Sequence, residues 1–123
     1  MAKLAKVLIM LVRLIWLVEL GLGIWIASIK GLPYLKLHVA LGFGVALLLL
    51  LLAMIAAVHK LVVPVVLGCA FAVLLPYVAL QQYHPALRFA PHLGPIQYAH
   101  VAVALAAIGV AEFTHSAIRK HAR

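Results

Sequence analysis

The chain has 123 residues, of which 68% are hydrophobic and 10% charged. Soluble domains carry about 25% charged residues, so the composition excludes an ordinary water-soluble domain. The formal net charge of +8 does not read as a nucleic-acid footprint, because the Lys and Arg residues are scattered and fall mostly at the ends of apolar segments, where basic side chains reach lipid headgroups.

A helix needs about 20 mostly apolar residues to cross a bilayer. Four segments meet that length, and they predict helices over approximately 4–29, 35–59, 61–82 and 95–119. The expectation is an all-α, polytopic membrane protein. Its single domain, 1–123, would be four transmembrane helices in an antiparallel up-down bundle.

The first segment opens with Lys3 and Lys6 and then turns apolar, as a signal peptide does. Its apolar run exceeds the usual h-region of about 7–15 residues, and no small-residue cleavage site follows, so it reads as a retained helix. It also carries Arg13 and Glu19. Buried charges are costly unless paired or neutralised. Arg13 and Glu112 lie at similar distances from the inner ends of helices one and four, which predicts an ion pair between them. Glu19 falls near mid-membrane with no obvious cation. It reads either as a protonated carboxyl that serves quinone chemistry or as a hydrogen-bonding group to a neighbouring helix. Trp25 has the position of an interfacial anchor.

The second segment carries His38, with Gly42 one turn deeper, and ends at a tight His59-Lys60 turn. The third holds Cys69, a small packing residue without a partner, and two prolines. Pro64 falls where a first helical turn tolerates it, and Pro76 predicts a kink. The link over about 81–95 is rich in breakers and holds His84, Arg88 and His92. The fourth segment carries His100, with Ala104 one turn deeper, then Ala107, Ala111, Glu112 and His115.

Segments two and four echo each other. Pro33, His38, Val39 and Ala40 match Pro95, His100, Val101 and Ala102 at a constant offset of 62 residues. Parallel repeats in transporters give such a pattern. The other reading is chance, since proline often opens helices and Val-Ala is common in apolar sequence. In the repeat reading, both imidazoles lie one or two turns below the outer surface, on helices running the same way. Ionisable residues inside a span are functional candidates by default.

Iron of a haem takes axial imidazoles, so His38 and His100 are the candidate ligands of a haem between helices two and four. Gly42 and Ala104 would leave room for the macrocycle, while Lys36 and Arg88 would meet its propionates. The alternatives are two interfacial histidines bonded to backbone carbonyls, or another metal. His59 and His115 form a second candidate pair at the inner end. His38 and His59 are 21 residues apart and His100 and His115 are 15 apart, so the two inner rings would not lie level.

On His38, His100, Gly42 and Ala104, the chain resembles the small four-helix membrane cytochromes b, b561-like in the broad sense. The resemblance implies haem b, one or two per chain, and electron transfer between quinol and an outer-side acceptor. It leaves open whether the protein is an enzyme. Two other functions compete: a non-catalytic small subunit within a larger membrane complex, and a proton-coupled small transporter using Glu19. The implied partners are the lipid bilayer, a quinone, and a larger complex or a second copy, with no nucleic acid.

Lys and Arg bias sets orientation. With the N-terminus inside, Lys3, Lys6, Lys60, Arg119, Lys120 and Arg123 are cytoplasmic, against Lys30, Lys36 and Arg88 outside. The expected location is the inner (plasma) membrane, with both termini cytoplasmic.

Overall fold

A computed structural model describes residues 1–29, 34–81 and 94–122. It is all-helical: α1 spans Ala2–Ile29, α2 Leu35–Val58, α3 Val62–Gln81 and α4 Pro95–His121. Each helix is long and apolar enough to cross a membrane. The expected boundaries agree within two residues at every helix end. Pro95 takes the first position of α4, where its missing N–H costs no hydrogen bond. Pro64 sits in the first turn of α3, and Pro76 lies inside the helix.

The turn between α2 and α3 ends α2 in a Schellman arrangement. Leu61 N–H donates to the Ala56 carbonyl at 3.0 Å and Lys60 N–H to the Ala57 carbonyl at 2.9 Å. Lys60 takes the left-handed position with φ 57°, where glycine is usual. A lysine there accepts backbone strain and places a cation at the helix end.

Among the described residues, α2 and α4 each touch all three other helices, whereas α1 and α3 do not touch. So α2 and α4 occupy the short diagonal of the bundle. The buried face of α2 reads Val45, Ala46, Leu49, Leu52, Ala53, Ile55 and Ala56, the spacing of a helix packed on more than one side. Gly68 of α3 meets this face so closely that an added Cβ would lie 2.8 Å from the Ala53 Cβ.

The core is lopsided. Ala5, Leu8, Ile9 and Val12 of α1 pack with Leu49, Leu52, Ile55 and Ala56 of α2 and with Ala107, Ala111 and Ile118 of α4. No residue of α1 after Val12, of α2 before Val45, or of α4 before Ala107 is fully buried among those described. In α1, α2 and α4 the buried residues gather toward the end with the chain termini, while α3 keeps Leu75 and Val78 buried toward the other end.

Candidate functional site

The end away from the chain termini holds the titratable groups of the site. His38 stands in the first turns of α2 and His100 in the second turn of α4. Their ring centroids are 6.1 Å apart, with the planes at 73°. This juxtaposition follows from the short diagonal, which brings α2 and α4 face to face.

Glu19 of α1 completes the cluster. Its Oε2 lies 2.9 Å from His38 Nδ1, and the two side chains are 13% and 19% exposed. The distance is that of an ion pair. His38 Nδ1 nevertheless makes no hydrogen bond among the described residues. Glu19 Oε1 and His100 Nδ1 are likewise buried without a hydrogen-bond partner among the described residues. Native proteins leave few such groups unpaired, and each one calls for a ligand, a water or an ion.

Two glycines frame the cluster. A Cβ on Gly23 would lie 3.5 Å from His38 Cε1, and one on Gly42 would lie 3.8 Å from Glu19 Oε2. Gly42 therefore faces the carboxylate of α1. The indole Nε1–H of Trp16 donates to the Ala104 carbonyl at 3.0 Å, so Ala104 also has an α1 side chain against it. The sequence reading left Glu19 without a cation; the structure sets the imidazole of His38 beside it. Trp16 had no expected partner. The sequence carried only part of the signal: Val12, Trp16, Glu19 and Gly23 follow at helical intervals from Ala5, Leu8 and Ile9, which puts them on one face of α1 without saying which helix that face meets.

The other expected residues are dispersed. Lys36 is exposed near the start of α2, beside a shallow groove lined by Leu35, Val39 and Ala40. Arg88, His84, His92 and Lys30 lie outside the described residues. His59 caps α2, with its Nε2 buried and unpaired, and His115 is half-buried on α4. Among the described residues, no three His, Cys, Asp or Glu side chains are grouped to hold a metal ion.

The predicted ion pair is present. Arg13 Nε donates to Glu112 Oε1 at 2.6 Å and Arg13 Nη2 to Oε2 at 2.9 Å. This fork-on-fork geometry is the strong form of the contact. The pair faces outward, with the side chains 53% and 40% exposed.

No protein-family model, curated protein or solved structure matches the chain. The functional reading therefore rests on the residues themselves.

Proposed function

We propose that the protein crosses the inner membrane four times as an antiparallel up-down bundle and binds one haem b between His38 and His100, for electron transfer between a quinol and an outer-side acceptor. Contact registers favour the bundle: Gly23 meets His38 while Glu19 meets Gly42, and Arg13 meets Glu112 while Trp16 meets Ala104. In both helix pairs one number rises as the other falls.

The observation that carries the haem reading is the 6.1 Å between the imidazole centroids. An imidazole nitrogen sits about 2 Å from a bound transition metal, so two rings on opposite sides of one ion have centres roughly 6 Å apart. The donor set also fits. Two imidazoles alone are too few for a bare ion, whereas a porphyrin brings its own equatorial nitrogens. Few residues of α1, α2 and α4 are buried beyond Val12, Val45 and Ala107, which favours this end for a bulky ligand, and His100 Nδ1, unpaired among the described residues, favours a group that satisfies it.

In this reading His38 and His100 are the axial ligands. Glu19 stands against Nδ1 of His38 and would orient the ring for ligation through Nε2, and Trp16 is hydrogen-bonded to the Ala104 carbonyl beside the site. Lys36 and Arg88 are the cations assigned to the propionates. Haem supplies one-electron iron chemistry when bound, and the helices supply insulation from water and a fixed depth in the membrane.

The test is a visible spectrum of the detergent-purified protein, oxidised and dithionite-reduced. A sharp reduced α-band, lost in His38→Ala and in His100→Ala, is expected. A folded, monodisperse wild-type protein that stays colourless after expression with added haem overturns the reading.

A further inference from the structure

The Arg13–Glu112 pair lies well inside the segments Lys3–Ser28 and Pro95–His121, yet both side chains are about half exposed. Charged residues within membrane spans almost always face the bundle interior or a water-filled cavity. This pair faces neither. Its hydrogen bonding is also incomplete, because Arg13 uses only Nε and Nη2, and Nη1 has no partner among the described residues. An unsatisfied polar group in hydrocarbon costs several kcal/mol by rough estimate.

We infer that the outward groove between α1 and α4, centred on Arg13 and Glu112, is the interface of a two-fold dimer of this chain. Charge complementarity selects the occupant. Arg13 stands on α1 and Glu112 on α4, side by side across the groove. A two-fold axis along the bundle, placed outside that groove, sets α1 of one copy against α4 of the other. Each Arg13 then faces Glu112 of the partner subunit, and the free edge of each guanidinium gains a second carboxylate. A two-fold interface must be self-complementary, and a neutral pair of this kind is so by construction. A lipid tail offers neither charge, and an anionic headgroup would answer Arg13 but repel Glu112.

The surrounding surface suits close approach. On α4, Leu105 and Val101 share the face of Glu112 and are 51% and 48% exposed, and Gly109, one turn from Glu112, is exposed with open space where a Cβ would stand. A small residue there lets a partner helix approach. On α1, Leu17 and Ile24 are 61% and 60% exposed and extend the face apolar. Lys6 and Arg119, the other cations near this face, lie toward the helix ends, where they reach headgroups.

This inference rests on the membrane-spanning part of the proposal above and is independent of haem. The experiment counts photobleaching steps of the dye-labelled full-length chain in phospholipid vesicles over a dilution series. Wild type is expected to dimerise. In the Arg13→Leu/Glu112→Leu protein, which retains shape but carries no charge at the patch, dimer affinity falls at least about tenfold, equivalent to about 1.4 kcal/mol. Its helical circular dichroism and visible spectrum match wild type.

A mixing experiment guards against trivial misfolding. The Arg13→Glu chain carries two acids at the patch and the Glu112→Arg chain two bases, so each alone is expected to be monomeric. Co-expressed with different tags, they are expected to co-purify. A wild-type protein that remains monomeric at every dilution overturns the inference, as does a leucine variant that dimerises like wild type or charge variants that fail to pair. Extraction of the wild-type chain by carbonate would instead overturn the membrane reading on which it stands.

Discussion

At Glu19, His38 and His100 the protein holds three polar side chains whose hydrogen bonds are incomplete among the described residues. Carboxylates behind metal-bound imidazoles orient the ring, and their loss typically costs about 10–100-fold in metal affinity. Glu19→Ala is therefore expected to weaken haem binding by about that factor, read as the midpoint of a Soret-band titration of the apoprotein. Glu19→Gln keeps a hydrogen-bonding group of the same size and is expected to lose less. Equal losses in the two variants would remove the orienting role. The ion pair at Arg13 and Glu112 was legible in the sequence, because depth along a helix follows from residue count. The Glu19–His38 contact was not, because it depends on azimuth. Counting residues placed Glu19 deeper than His38, and only the rotation of α1, set by Ala5, Ile9 and Val12 facing the core, turns the carboxylate toward α2.

The helices themselves were the most legible elements, since long apolar runs bounded by breakers leave little choice. What sequence could not supply was which faces meet, because α2 and α3 are apolar all round and carry no periodic contrast. The structure resolves this at Gly68, where α3 closes on Ala53. A methyl group there would lie 2.8 Å from the Ala53 Cβ, well inside the optimum of about 3.5–4.0 Å between carbons. Both residues are buried, so the helices must separate to admit it. Gly68→Ala is expected to destabilise the bundle by about 1–3 kcal/mol, measured as unfolding in a detergent mixture of rising denaturing strength. Gly44→Ala is the control, because a Cβ there meets nothing within 4 Å, and alanine improves helix propensity. A Gly68→Ala protein as stable as wild type would show that the two helices separate without cost.

On the scale of the whole molecule, the repeat noticed in the sequence acquires a physical meaning. His38 and His100 stand on the two helices of the short diagonal, and the non-touching helices α1 and α3 flank them. Each half of the chain thus contributes one inner and one outer helix. The halves are not equal, since α1 alone adds a carboxylate and an indole to the site. In the proposed topology, orientation would be set by charge. Among the described residues, Lys3, Lys6, Lys60, Arg119 and Lys120 lie at the end of the bundle that holds the termini and the α2–α3 turn, and Lys36 lies at the other; Lys30 and Arg88, which the sequence assigns to the same side as Lys36, and Arg123 lie outside the described residues. Membranes retain Lys and Arg on the cytoplasmic side, so the site should open toward the outside. In a Cys69→Ser background, Tyr34→Cys is expected to react with a membrane-impermeant maleimide in intact cells. Ala122→Cys is expected to react only after lysis. Both positions are exposed in the isolated chain, and α2, α3 and α4 lie between them, so crossing at each helix puts them on opposite faces. Labelling of both from one side would break the four-span topology. The reverse pattern would keep the topology but invert the protein, placing His38 and His100 near the cytoplasm and ruling out an outer-side acceptor.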